Sequence, residues 1–363
     1  MPTLFGEVFA GFLVGPMMLG WVTETEAIRV LAELGVFFLM FHAGLEFSPD
    51  DLRSSFKGAF WVAFGSIVVC FSGVFGISVW MGFEVFTAVF MSLILSVSAV
   101  EISARMLKDA KMGSFQLSQL SVTSALLAEV FMLIAFSLFL DVYQTRAFDF
   151  LHFVVLFVKV FGYFAVVLWF GHTFSAFLHR FLYKGNKGFT LSLIIALIFG
   201  VFAESIGLHF IIGAFLAGLF LQKELIDIEM YDKLEDRVFG LSYSFLGPIF
   251  FASLAFHLDI TSLMLMPWFV LALFVAANVG KVLGAMLVGK WKGMNRREGF
   301  ALGLAMNNRG ALALILASVG LEEGVIHGEI FSILVALALV STFFTLLLFK
   351  PVSKILKERS VKV

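Results

Sequence analysis

The sequence predicts an all-α integral membrane protein of about twelve transmembrane helices, arranged as inverted five-helix repeats with two broken helices that cross. Three observations predict this. Hydrophobic residues make up 61% of the chain and charged residues 14%, with a mean hydropathy of +1.02, a balance that water-soluble domains do not have. The apolar runs recur at the length of a bilayer-crossing helix rather than as short alternating strands, which selects a helical bundle over a barrel. Two of the runs are interrupted by polar residues at corresponding places in the two halves of the chain.

In order, the runs cover 5–19, 27–45, 58–81, 86–108, 115–140, 150–182, 189–206, 210–222, 238–258, 267–290, 300–320 and 331–349. The first and eighth are short and glycine-rich, as tilted or partly embedded helices are. The polar stretch from Lys223 to Arg237 reads as a short surface helix between two spans. Alternate connections carry the basic residues: Arg53 and Lys57, then Arg105, Lys108 and Lys111, then Arg180 and Lys184, then Lys290, Lys292, Arg296 and Arg297. The others carry almost none beyond Arg29 and Arg146 and are acidic instead, with Glu24, Glu26, Glu84, Asp141, Glu322 and Glu323. By the positive-inside rule both termini are expected in the cytoplasm.

Composition also narrows function. Cys70 is the only cysteine, so an intramolecular disulfide and a cysteine-ligated metal are excluded. The net charge of −1 says nothing about partners, but there is no basic patch for nucleic acid, so none is expected; the expected partner is the lipid bilayer. There is no nucleophile–base pairing and no phosphate loop, so neither an enzyme nor a resident cofactor is expected.

The halves echo each other. Gly6-Glu-Val-Phe-Ala-Gly-Phe-Leu-Val-Gly15 resembles Ile212-Gly-Ala-Phe-Leu-Ala-Gly-Leu-Phe220, and the stretch from Gly35 to Leu45 resembles that from Gly247 to His257. The expected division is repeat 1 at about 1–144, linker helices at about 145–206 and repeat 2 at about 207–356. Such repeats are a transporter architecture, with the site between broken helices at the midplane. A chance match between two glycine-rich apolar strings is the competing reading.

Glu129 lies near the middle of the run 115–140, where a charged carboxylate costs about 2.5–3.5 kcal/mol on insertion scales. It is either a protonated glutamate bonded to a neighbouring helix or an ion and proton site. Segment four reads Leu95-Ser-Val-Ser-Ala-Val-Glu101, and segment eleven reads Leu304-Ala-Met-Asn-Asn-Arg-Gly310. Ser96, Ser98 and Ala99 in the first, with Asn307, Asn308, Arg309 and Gly310 in the second, are therefore read as the crossing of two unwound helices. Unwinding frees carbonyls and N–H groups and brings half-helix dipole ends to the crossing. Packing serines bonded to their own helix are the alternative for each hydroxyl. Lys281 lies too deep in segment ten to reach water easily and calls for a carboxylate partner, Glu129 or Glu101. Arg309 is read as pinning unwound backbone. Ser98 and Ser124 are candidate oxygen ligands for a hard monovalent cation held with Glu129. His42 and His257 occupy matching repeat positions but lack metal-ligand spacing and a nearby carboxylate pair.

Taken together, Gly6 to Pro16, Leu31 to Glu46, Gly213-Ala-Phe-Leu-Ala-Gly, Gly280-Lys281 and Arg309-Gly310 resemble the monovalent cation:proton antiporters. The nearest group is the NapA-type sodium/proton exchangers, with Kef-type potassium relatives. The resemblance spans nearly the whole chain and implies the antiporter fold, a homodimer and no cofactor. It also implies a mobile core of segments three to five and ten to twelve. A dimer and scaffold domain would be formed by segments one, two and seven to nine, with elevator-like movement of the core. The family's usual Asp-Asp, Asn-Asp or Gln-Asp pair is Ala128-Glu129 here. Glu129 keeps the carboxylate that the resemblance assigns to the transported ion, and Ala128 replaces the one that pairs with the lysine matching Lys281. Glu101 is expected to take over part of that role. The Kef-type nucleotide-binding domain is not found in this sequence. Sodium (or lithium)/proton antiport is therefore expected. Potassium/proton antiport is the rival within the class, and a degenerate fold acting as a channel or sensor subunit is the rival outside it.

Overall fold

The computed structural model describes residues 3–46, 49–110, 116–145, scattered positions between 154 and 166, 187–221 and 228–360. The described structure is entirely helical. Among the described residues, eight helices are long and apolar enough to cross a membrane, and a ninth span forms if the bent pair Arg296–Met306 and Ala311–Glu322, inclined at 47°, counts as one. Thr3–Val14 and Phe210–Phe220 are shorter apolar helices. Most of the predicted sixth segment lies outside the described residues, as do Lys111, Arg180, Lys184 and Lys223.

The chain divides into two compact units. The first contains residues 1–5, 50–136 and 257–363. Its helices are α3 (Pro49–Trp80), α4 (Val85–Ser96), α5 (Val100–Asp109), most of α6 (Gln116–Thr145), α11 (Ile260–Leu265), α12 (Pro267–Trp291), α13 (Arg296–Met306), α14 (Ala311–Glu322) and α15 (Gly328–Ser360). Glycines let α12 approach its neighbours at backbone distance. A Cβ on Gly284 would lie 2.4 Å from the Gly65 carbonyl oxygen of α3, and one on Gly303 of α13 would lie 2.8 Å from the Val282 Cα. In lipid, where no hydrophobic force drives helices together, close contact of this kind supplies the packing energy. Helix α13 starts on a capping box, with Asn295 Oδ1 accepting from the Glu298 N–H and Glu298 Oε2 accepting from the Asn295 N–H, both at 2.9 Å. Trp80, Trp268 and Trp291, at the ends of α3 and α12, are 82%, 79% and 70% exposed, as interfacial tryptophans are.

The second unit contains residues 6–49 and 137–256. It holds most of α1 (Thr3–Val14), α2 (Glu26–Leu45), the end of α6, α7 (Lys187–Ser205), α8 (Phe210–Phe220), α9 (Ile228–Leu241) and α10 (Gly247–Leu254). Helices α2 and α8 cross at Gly44 and Gly218, where an added Cβ would meet the Phe215 and Phe41 carbonyl oxygens at 2.0 and 2.2 Å. The described part of the polar stretch before the ninth span, from Ile228, is helical as expected but runs on into that span, α9 passing through a π turn at Ser242–Leu246 into α10. The wide turn falls just ahead of Pro248, which has no N–H to donate and whose ring would clash with a regular carbonyl four residues back.

Candidate ion site at the crossing of two interrupted helices

All the predicted site residues fall in the first unit. Helix α4 stops at Ser96 and α5 begins at Val100; Val97 and Ala99 between them are extended, with ψ of 145° and 110°. Two serines in three residues favour this, because their hydroxyls compete with helical backbone bonds. Helix α13 stops at Met306 and α14 begins at Ala311. The two breaks touch: the Ala99 N–H donates to the Asn308 carbonyl at 2.8 Å. Gly310 allows the contact, since a Cβ there would sit 2.7 Å from the Ala99 Cβ. We expect Gly310→Ala to push the breaks apart and lower the melting temperature in detergent, whereas Gly76→Ala, which meets nothing within 4 Å, leaves it unchanged.

An interrupted helix presents a negative end and a positive end. At the C-terminal end of α4, cations meet the exposed carbonyls. Lys281 Nζ donates to the Ser96 carbonyl, and Arg309 Nε donates to the Leu95 carbonyl at 3.0 Å. At the N-terminal end of α5, carboxylates gather. Glu129 Oε1 accepts the Val100 N–H at 3.1 Å, and Glu101 lies in the first turn. Lys281 and Arg309 are fully buried; Glu129 and Glu101 are partly buried. Glu129 is close enough to bear on the Lys281 charge, as are Cys70 and Arg309. The contact Lys281 makes is thus to a carbonyl, with Glu129 acting through space.

The second break is held by a polar web. Arg309 also donates to the Ala277 carbonyl at 3.1 Å through Nη2. Asn307 Nδ2 donates to Asn278 Oδ1 at 2.6 Å and to Thr345 Oγ1 at 2.9 Å. Thr342 Oγ1 accepts the Arg309 N–H at 2.9 Å and donates to the Arg309 carbonyl at 2.8 Å. Ser103 Oγ reaches the Ala305 carbonyl at 2.5 Å, and Asn308 Nδ2 reaches the same carbonyl at 3.0 Å. The hydroxyls of α15 and the Cys70 thiol, which lies 3.4 Å from the Leu95 and Ala277 carbonyls, were missed by sequence reasoning. The only signal was the Ser341, Thr342 and Thr345 spacing of one helix face in an otherwise apolar run.

The candidate ligand oxygens differ in their commitments. Among the described residues, the hydroxyls of Ser96 and Ser98 and the Asn308 Oδ1 are buried without a hydrogen-bond partner. Buried polar atoms are nearly always paired, so these three are where a cation or water is needed. Ser124 Oγ, in contrast, donates to the Leu120 carbonyl of its own helix at 2.6 Å, which leaves its lone pairs as the acceptors it can offer. Ala128 is fully buried in an apolar cluster that includes Val62, Leu302 and Met306.

Two interrupted helices that cross inside an apolar bundle, with paired charges at their ends, are the layout of a secondary transporter. The comparisons agree. Residues 1–354 match the family described as "Sodium/hydrogen exchanger, transmembrane", and the chain belongs to that family. It is 28% identical to the "Na(+)/H(+)-K(+) antiporter GerN" of Bacillus cereus over 95% of this chain and 88% of the relative. It is 30% identical to the "Na(+)/H(+) antiporter NhaS4" of Synechocystis sp., over 95% of this chain and 89% of the relative. Its fold matches that of the sodium proton antiporter MjNhaP1 from Methanocaldococcus jannaschii. The TM-score is 0.77, covering 97% of this chain and 92% of that one, at 13% identity. The chain is therefore a multi-pass membrane protein of a transporter family, not of an enzyme family.

Proposed function

We propose that the protein exchanges sodium or lithium for protons across a cell membrane, with Glu129 as the shared cation and proton site. The observation that carries this is the position of the Glu129 carboxylate on the first N–H of α5, directly after the unwound Val97–Ala99 stretch, with Lys281 on the Ser96 carbonyl at the other side of that stretch. A carboxylate in a low-dielectric interior needs a proton or a cation. The two compete for it, and competition is enough to couple their movements. The Ser96 and Ser98 hydroxyls, without a hydrogen-bond partner among the described residues, supply further oxygens for a hard ion, and Glu101 supplies the second carboxylate that Ala128 cannot. A core loaded with either ion crosses; an empty, charged core does not, because burying it against apolar surface costs several kcal/mol.

The same reading takes residues 1–144 and 207–356 as inverted repeats. The core domain moves in an elevator-like manner against the scaffold of a homodimer, in a bacterial or archaeal inner membrane, with both termini cytoplasmic. Sodium named for the two relatives and for the matching structure supports the choice of ion. Potassium, also named for GerN, belongs in the same assay. The test is dissipation of an imposed proton gradient in vesicles containing the purified protein. Sodium and lithium should collapse the gradient and potassium should do so weakly. Equal potency of potassium would favour the potassium/proton reading, and a steady current without coupled proton movement would favour a channel.

A further inference from the structure

The second compact unit holds a polar cluster that ion exchange does not use. His42, near the end of α2, is 1% exposed, and among the described residues neither of its ring nitrogens has a hydrogen-bond partner. Its Nε2 lies 3.5 Å from Glu235 Oε1, and its Nδ1 lies 3.9 Å from Glu46 Oε2. One ligand atom from each of His42, Glu46 and Glu235 can be chosen so that all three lie within 4.8 Å of one another. Sequence reasoning dismissed His42 as a ligand because no carboxylate pair was in view. The structure corrects that: Glu46 is one helical turn on, and Glu235 arrives from α9.

The fold delivers Glu235 deliberately. Tyr231, Glu235, Val238 and Ser242 share one face of the α9 path, at helical spacing. Tyr231 Oη donates to the Leu45 carbonyl and Ser242 Oγ to the Phe38 carbonyl, both at 2.9 Å. These two tethers straddle Glu235 and hold it over His42. The imidazole is held in turn by the rings of Phe239 and Tyr243, with centroids at 5.5 and 5.2 Å. Asp232 and Asp236 add negative charge around Glu235. A metal ion takes only one ring nitrogen, and the other then donates its N–H; a buried imidazole beside two carboxylates can offer one nitrogen to a cation and the other to a carboxylate or water.

We propose that His42, Glu46 and Glu235 bind one divalent transition-metal ion of the zinc class, which staples the end of α2 to α9. One imidazole with two carboxylates is a nitrogen and oxygen donor set that suits zinc, cobalt or manganese; calcium takes an all-oxygen shell. Ligand atoms around tetrahedral zinc stand about 3.3 Å apart, so the site must contract. The Glu46 and Glu235 side chains are 39% and 35% exposed and can swing inward while leaving positions open for water.

The test uses full-length protein purified through a tag without histidines, stripped with a chelator and titrated with Co2+. We expect one Co2+ per protomer with visible absorption bands, displacement by Zn2+, and a melting temperature raised by either metal. His42→Gln and the milder, half-exposed Glu235→Gln should each weaken binding at least about tenfold. Glu129→Gln should bind Co2+ as the wild type does, which separates this site from the transport site. The proposal is overturned if Co2+ and Zn2+ do not bind at micromolar concentrations, or if both variants bind unchanged. It is equally overturned if His42 titrates as an imidazolium bridging the two carboxylates while no metal binds.

Discussion

Vesicles carrying Glu129→Gln are expected to keep an imposed proton gradient when sodium is added, as protein-free vesicles do. Glutamine retains a carbonyl that can accept the Val100 N–H, now bonded at 3.1 Å to Glu129 Oε1, so the start of α5 stays capped. What is lost is the negative charge. A charged ligand is worth about 1.5–3 kcal/mol, a factor of about 10–150 in cation affinity. The proton binding that makes the exchange coupled vanishes altogether. The melting temperature should therefore change little while exchange disappears, a separation that a purely structural glutamate would not show. Glu101→Gln is expected to retain exchange with an altered pH profile, and an unaltered profile would remove Glu101 from the site.

Arg309→Ala should have the largest effect on stability. The guanidinium lies 1% exposed and bonds the Leu95 and Ala277 carbonyls at 3.0 and 3.1 Å. Leu95 is in the last turn of α4, where carbonyls have no helical partner. Removing the side chain leaves the buried Leu95 carbonyl with only the weak Cys70 thiol as donor, a loss of about 1–3 kcal/mol, and opens a cavity, for a total of about 3–5 kcal/mol. Arg309→Lys should recover part of this, because an ammonium supplies the charge but not the fork that spans both carbonyls. The measurement is thermal unfolding in detergent, and melting curves for both variants that match the wild type would contradict the role assigned to Arg309.

The sequence carries much of this in readable form, and the reason is the solvent. In lipid every polar residue in an apolar run must have a cause, so Glu129, Lys281 and Arg309 stand out by composition alone. Helix ends are legible where serine and asparagine can replace helical bonds, as at Ser96 and Asn307. Partners are not legible. Nothing along the chain says that Lys281 reaches the Ser96 carbonyl, that Cys70 sits by the Leu95 and Ala277 carbonyls, or that Glu235 comes to lie beside His42. Those pairings depend on which helix faces meet, and glycine contacts such as Gly284 on Gly65 set them through packing rather than periodicity. The charged first turns of α9 misled in the other direction. Lys233, Glu235 and Arg237 read as part of a short surface helix, yet that helix buries Leu234 and Val238 and runs on into the next span.

The most direct measurement of the central claim is proton release on sodium binding. The purified protein, in weakly buffered detergent solution near neutral pH, is mixed with sodium chloride while an indicator dye follows the free proton. If one acid serves both ions, sodium should displace protons in a saturable manner from the wild type and none from Glu129→Gln. Sodium binding without proton release, or equal release from Glu129→Gln, would contradict the account.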